Sequence, residues 1–533
     1  MPAIPLERTV TATQRVARDD AVWWCVLLVL CVALVAPLTI ADVPPLLDYP
    51  NHLARLFVLA SVPADPVLAR FYEPRWGIIP NLALDLTVPP LLRMFPVHIV
   101  GRAIAGLILL LPVLGASAYH RALSGRLSYW PFAAVLFVFN AALLRGFLNF
   151  IASVGLALLL GATWVAWRER RPSLTILIGM VGPVALFFCH LTGLLFFAIL
   201  IGGHELAWLR KASFTIGGLA RRAAVVILIF AAPAALYLIS DLGHMAGEAE
   251  FRSVAGKAHA ALSPVINYVW PLDLLTAALC IAATLLCLAM RWCVIQFQAA
   301  AAIVVLLALF IVLPAALKGT YDVDTRFIIM AAFVISASLT PVAMPHPARW
   351  TLGIGFLLLF GVRMSVLVAA WEGWSGELAA FRSVIASVQP GDVVMTVRAS
   401  RVEDTYDGTN VPSARRLSDG TTIDTHLPGL LVIEHRAYWP FLFDNLSQQP
   451  IRTREPYRTA ASLVDNSRDP IALLKSGEPG IRPFTHVLVL GPDPADIITG
   501  GLKLVSANET AALFAVVRDD VNQPRSGSPP PAR

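Results

Sequence analysis

Three observations in the sequence predict a polytopic α-helical membrane protein of about eleven spans, ending in an extracytoplasmic α/β domain. Hydrophobic residues make up 57% of the 533 residues and charged residues 14%, whereas a soluble domain is about half apolar and a quarter charged. The apolar residues run in windows of roughly 20, enough to cross a bilayer, and this pattern stops near Ala370. Arginine collects between alternate windows, so topology accounts for the net charge of +6 and no nucleic-acid partner is needed.

The windows fall near 22–41, 97–119, 128–145, 147–167, 173–189, 191–209, 223–240, 272–290, 296–316, 326–344 and 350–370. Only His190 separates the fifth from the sixth. With the N-terminus in the cytoplasm, the inner loops are Arg121–Arg126, Arg168–Arg171, Arg210–Arg222 and the turns at Arg291 and Arg349. Most acids, including Asp42, Asp48, Glu73, Asp85, Asp273, Asp322 and Asp324, then lie outside. An odd number of spans places the C-terminus outside as well. The polar stretch Met1–Asp20 precedes a first window with no convincing cleavage site, which predicts an uncleaved span. The six cysteines lie in or beside apolar runs with no CxxC or Cys/His metal spacing, which argues against disulfides and structural zinc.

The expected organisation is a membrane part over 1–371 with a large first outer loop, 42–96, a soluble domain over 372–521, and a disordered Pro/Ser-rich tail over 522–533. In the soluble part Val393–Val397, Leu430–Ile433 and His486–Leu490 read as short buried strands. Asp469 and Pro470 read as the cap and first residue of a short helix.

The candidate chemistry gathers at the outer ends of the spans. The segment Leu47-Asp48-Tyr49-Pro50-Asn51-His52-Leu53-Ala54-Arg55 follows the first window directly. Pro50 starts a helix with Leu53, Leu56, Phe57 and Ala60 as an apolar stripe and Asn51, His52 and Arg55 opposite. That pattern describes an amphipathic helix in the membrane interface, with Asp48 just ahead of it. The Asp48 carboxylate either faces a cavity or complements the helix N-terminus. Glu73, Arg75 and Asp85 follow in the same loop. Asp324 and Arg326 open the tenth window, where an arginine either grips a phosphate with its planar fork or snorkels. Arg145 and His190 lie at the same face, while His204 and Glu205 lie near the inner one.

A cytoplasmic N-terminus, one span, a large outer loop with an early Asp, ten more spans and an outer C-terminal domain resemble the type C glycosyltransferases, including the protein O-mannosyltransferases and the bacterial aminoarabinose transferase of lipid A. The motifs that carry this are the Asp48 segment and Asp324-Thr325-Arg326-Phe327. The resemblance implies an enzyme of the bacterial inner membrane that moves a sugar from a polyprenyl-phosphate donor to a glycan, lipid or protein acceptor. Asp48 would be its catalytic carboxylate and Arg326 its donor-phosphate contact. His52, Arg55, Glu73, Arg75, Asp85, Arg145, His190 and Asp324 would line the substrate site. Several members carry a second acid beside the first-loop Asp or at the turn between the third and fourth spans. Here Tyr49 follows Asp48 and that turn reads Arg145-Gly146-Phe147-Leu148-Asn149, so a divalent cation stays an open question. The competing classes are a transporter or flippase, which usually has repeated halves with charges at mid-membrane, a glycan ligase or polymerase, and a non-catalytic assembly protein.

Overall fold

The computed structural model describes residues 6–211, 215–245, 247–398, 415–476, 478–491 and 501–517; the tail 522–533 lies outside them. Eight described helices are long and apolar enough to cross a membrane: Asp20–Thr39, Val97–Ser124, Leu148–Trp167, Pro172–Cys189, Leu191–Arg210, Ile216–Ile239, Trp270–Ala289 and His346–Ile385. The other three windows are the shorter apolar segments Trp130–Leu144, Phe297–Val312 and Thr325–Ser338. A helix of 14 residues, the length of Thr325–Ser338, rises only about 21 Å, less than the roughly 30 Å of a hydrocarbon core.

Two windows change form. The 128–145 window is a 3-10 segment, Trp130–Phe137, followed by the short α-helix Ala141–Leu144, which starts where the Asn140 side chain accepts from the Leu143 amide. The 326–344 window stops at Ser338, and Leu339–Pro341 pairs antiparallel with Cys293–Ile295. By contrast, the fifth and sixth windows are two helices as expected, parted by His190 in an extended conformation (φ −169°, ψ 133°).

The centre of the bundle is the pair Val97–Ser124 and Leu148–Trp167, whose apolar windows are 56% and 61% buried, against 11% for Ile216–Ile239. These two helices touch backbone to backbone, because any Cβ on Gly155 would overlap the main chain of Leu111. Small residues allow this approach where lipid supplies no hydrophobic drive.

The C-terminal region carries a four-stranded sheet in the order Val394–Arg398, His486–Leu490, Ala511–Val516, Leu502–Ala507. Its first pair is parallel and the others antiparallel. Asp469 caps Pro470–Lys475 by accepting from the Ala472 amide. The expected strand at Leu430–Ile433 is instead part of the helix Gly429–His435, with Leu430, Leu431, Val432 and Ile433 all buried. A short apolar run buried on every side has no period to tell strand from helix.

The first loop and the C-terminal region are interwoven. Tyr72–Pro74 pairs antiparallel with Ile451–Thr453. The helix Tyr49–Ser61 packs against both Gly429–His435 and Ala83–Leu92, and the Asn51 side chain donates to the Phe441 carbonyl and accepts from the Phe443 amide. Asn51 and Arg55 are therefore fully buried. The expected interfacial helix is a core element whose polar side faces protein, because that side meets hydrogen-bond partners there rather than water.

Candidate functional site around Asp48 and Arg326

Asp48 occupies the N-cap position of Tyr49–Ser61, yet its side chain makes no cap hydrogen bond and its backbone is αR (φ −88°, ψ −5°). Its main chain is held from the other side: the Leu47 and Asp48 amides donate to the Leu144 and Arg145 carbonyls. Gly146 makes this possible. It has φ +89°, and a Cβ there would lie 2.7 Å from the Asp48 nitrogen, so only glycine fits both the conformation and the space. The carboxylate meets the C-terminal region, with Asp48 Oδ1 2.8 Å from His426 Nδ1. A carboxylate oxygen accepts, so Nδ1 carries the proton and donates. The His426 ring is set edge-on between Phe443 (5.0 Å, 85°) and Trp439 (6.1 Å, 68°).

Arg145 leaves the turn before Gly146 and reaches Asp322 Oδ2 at 2.6 Å and Asp419 Oδ2 at 2.5 Å. Asp322 is left-handed (φ +55°), a conformation Asp tolerates better than most residues. Its other oxygen takes Arg252 Nη2 at 2.6 Å. Arg252 continues to Asp324 at 3.1 Å, where Lys257 also binds at 2.8 Å. Asp324 further accepts from the Thr325 amide at the helix start. Within this network Arg145, Arg252 and Lys257 are matched by Asp322, Asp324 and Asp419.

Arg326 is different. It is 5% exposed, and its partners are His190 Nε2 at 3.2 Å and the Tyr321 carbonyl at 3.1 Å, while Nε has no partner. Among the described residues no carboxylate pairs with it. The same imidazole is held at its other nitrogen, where the Thr192 amide donates to Nδ1 at 3.1 Å and the Thr192 hydroxyl lies 2.7 Å from it. The Phe147 and Phe150 rings lie 5.3 and 5.8 Å from the Arg326 guanidinium carbon. The turn Arg145–Phe147 thus touches Asp48 with its backbone, Asp322 with a side chain and Arg326 with a ring.

The remaining candidates form two groups, His52 with Arg55 and Asp85, and Glu73 with Arg75. Arg55 makes a forked contact with buried Asp85 at 2.7 and 3.1 Å. His52 Nδ1 accepts from Arg55 at 3.1 Å. Burial, with the Arg55 guanidinium and the His426 ring nearby, holds the His52 imidazole well below its usual range. Glu73 pairs with Arg75 at 2.9 Å and Arg454 at 3.5 Å on the surface. Sequence reasoning did not find His426, Asp419, Arg252 and Lys257. Their only sequence signal is being polar near a loop end. Among the described residues no group of three or more His, Cys, Asp or Glu converges as metal ligands, and His426 is the one described side chain on the Asp48 carboxylate. The described residues form no such ligand set, and no step through a divalent cation is derived.

Neither a family model nor a curated protein sequence matches the chain. Among solved structures it is similar to ArnT from Cupriavidus metallidurans bound to undecaprenyl phosphate. That comparison has a TM-score of 0.51 at 13% identity and covers 93% of this chain and 97% of that one. The likeness spans the membrane part and the C-terminal region together, and it makes the fold that of a polytopic helical membrane protein with a C-terminal sheet region.

Proposed function

We propose that this protein is a membrane glycosyltransferase that moves a sugar from a polyprenyl-phosphate donor to an acceptor on the extracytoplasmic face. The observation that carries the reading is that neither the Asp48 carboxylate nor the Arg326 guanidinium contacts an oppositely charged Lys, Arg, Asp or Glu side chain among the described residues. Transfer needs both. An acceptor O–H or N–H gives its proton to Asp48 while its oxygen or nitrogen bonds to the anomeric carbon. The bond from that carbon to the lipid phosphate breaks, and the electron pair leaves on phosphate, which the donors of Arg326 stabilise. The matched network of Arg145, Arg252, Lys257 and their aspartates would then hold the loop Tyr321–Arg326 in place. Arg55 and Asp85 brace the helix that follows Asp48.

The arginine-rich loops at the other end of the bundle support a cytoplasmic N-terminus and a C-terminal region outside the inner membrane. A periplasm-dependent reporter fused after Gln389 should be active. Residues 1–371 then form the membrane part and 372–521 the outer domain. The enzymatic reading is tested by presenting undecaprenyl-phosphate hexoses and pentoses, labelled in the sugar, to membrane vesicles holding wild type or Asp48→Asn. Label should pass to an acceptor with wild type and fall by roughly two to four orders of magnitude in the variant. Equal transfer by both would remove Asp48 from the reaction.

A further inference from the structure

We propose that His426 is a positioning residue, supplied by the C-terminal region, that holds the Asp48 carboxylate by Oδ1 so that Oδ2 faces the acceptor. The inference rests on the reading of Asp48 as the base. An aspartate at an N-cap normally fixes its own side chain on the N2 or N3 amide. Asp48 does not, so its backbone is clamped while its carboxylate would rotate freely without another hold. His426 is the described side chain that provides one, across 378 residues of sequence.

The surroundings fix the imidazole before any substrate arrives. His426 ends a 3-10 turn, Asp424–His426, whose Asp424 is bound by Arg398 at 2.6 Å. Phe443 stands at the edge of the ring and is tied by its amide to Asn51, three residues after Asp48 on the same helix. The His52 ring also meets Phe443, at 5.4 Å. One short helix therefore presents the carboxylate and anchors the segment that buttresses its partner. Such geometric preorganisation matters because a carboxylate displaced by about 1 Å can lose roughly a hundredfold in rate.

The rival arrangement of the same atoms makes His426 the proton acceptor through Nε2, with Asp48 behind it. Asparagine separates the two, since its amide nitrogen can replace Nδ1 as a donor to Asp48 but offers nothing in place of Nε2. In full-length protein in membrane vesicles, with the labelled undecaprenyl-phosphate sugars, His426→Leu should lower kcat roughly a hundredfold with donor KM unchanged. His426→Asn should recover most of that loss. Combining His426→Leu with Asp48→Asn should cost nothing beyond Asp48→Asn alone, because nothing is left to position. A purely structural role would instead add to the loss and lower the melting temperature of both His426 variants. If His426→Leu fails to insert, the decision falls to His426→Asn. Activity near wild type supports positioning, and activity as low as Asp48→Asn overturns it. Full activity in His426→Leu overturns it too, while leaving the transferase reading intact. No transfer by wild type from any of the donors would instead bring down that reading, and this inference with it.

Discussion

Two buried arginines, Arg326 and Arg222, lie at opposite ends of one helix. His190, just before Leu191–Lys211, meets Arg326; Glu205, near its far end, meets Arg222. The separation of His190 and Glu205 by 15 positions along the chain corresponds to a rise of about 22 Å. Arg222 binds Glu205 at 2.5 Å and Glu169 at 2.7 Å and lies over the Trp208 ring. Arg168 also reaches Glu205, at 3.5 Å. There the positive charges close on carboxylates and cross-link the helices. Arg326 has an imidazole, a carbonyl and two aromatic rings, and no described carboxylate. Holding a guanidinium out of water without a counter-charge is costly. Folding alone does not favour it; under the proposed function a donor phosphate would. On that proposal, the difference separates charge that holds the bundle from charge held ready for a ligand.

The sharpest way to break that comparison is to neutralise one acid at each end. Asp48→Asn carries the largest expected effect, roughly two to four orders of magnitude in transfer with insertion unchanged. Glu205→Gln should leave transfer per folded molecule intact. Matching losses in the two variants would erase the distinction.

The arginines come next. Arg326→Ala should weaken donor use roughly ten- to a hundredfold, the value of one or two charge-assisted hydrogen bonds. The melting temperature should hold or rise, since a buried unpaired charge is gone. Arg326→Lys should recover only part, because the planar fork is lost. Donor titration by either variant at wild-type strength would take Arg326 out of the site. Arg222→Leu should do the reverse, leaving Glu205 short of a partner and destabilising the fold by about 3 kcal/mol with donor KM unchanged. Melting in detergent, run beside the transfer assay, reads both quantities. A variant that keeps its melting point but loses donor binding would reverse the assignment of the two ends.

How much of this was legible in the sequence follows from what enforces each feature. All eleven apolar windows correspond to apolar helical segments, because a bilayer accepts little else. Their lengths were less legible, since a run of apolar letters does not say where Ser338 ends a helix or where Asn140 caps a new one. Asp48 and Arg326 could be singled out because each stands close to the end of an apolar run. Their partners could not. Nothing at His426 announces a contact with residue 48, and nothing at Asp419 announces Arg145, since both depend on the C-terminal region folding back over the first loop. The same folding-back undid the interfacial helix. Asn51 and Arg55 form a polar stripe facing water by periodicity alone, and they form a core once Phe441, Phe443 and Asp85 are brought to them. Periodicity reports which residues share a face, not what covers it.

A third arginine lies between the two extremes and gives the smallest expected effect. Arg382, on the long helix His346–Ile385, binds Asp42 at 2.8 Å and Glu434 at 2.6 Å, with His98 3.2 Å from Glu434. Like Arg222 it is matched by two carboxylates, but its side chain keeps 31% of its exposure. Partial burial alone would raise both acids. The hydrogen bonds and charge of Arg382, with His98 adding to them, outweigh that and hold Asp42 and Glu434 below their ordinary values. Folded values below the unfolded ones mean that the stabilisation is complete above the ordinary carboxylate range, about pH 4, and disappears as pH falls through the folded values. The melting temperature should therefore be flat from neutrality to about pH 5 and decline below about pH 4. Solvent screening keeps the contribution under about 1 kcal/mol. Arg382→Gln should show that small deficit at pH 7 and converge on wild type in acid, with transfer untouched. A deficit equally large at pH 3 and pH 7 would mean that Arg382 acts through packing rather than charge, and the gradation from Arg222 through Arg382 to Arg326 would lose its middle member.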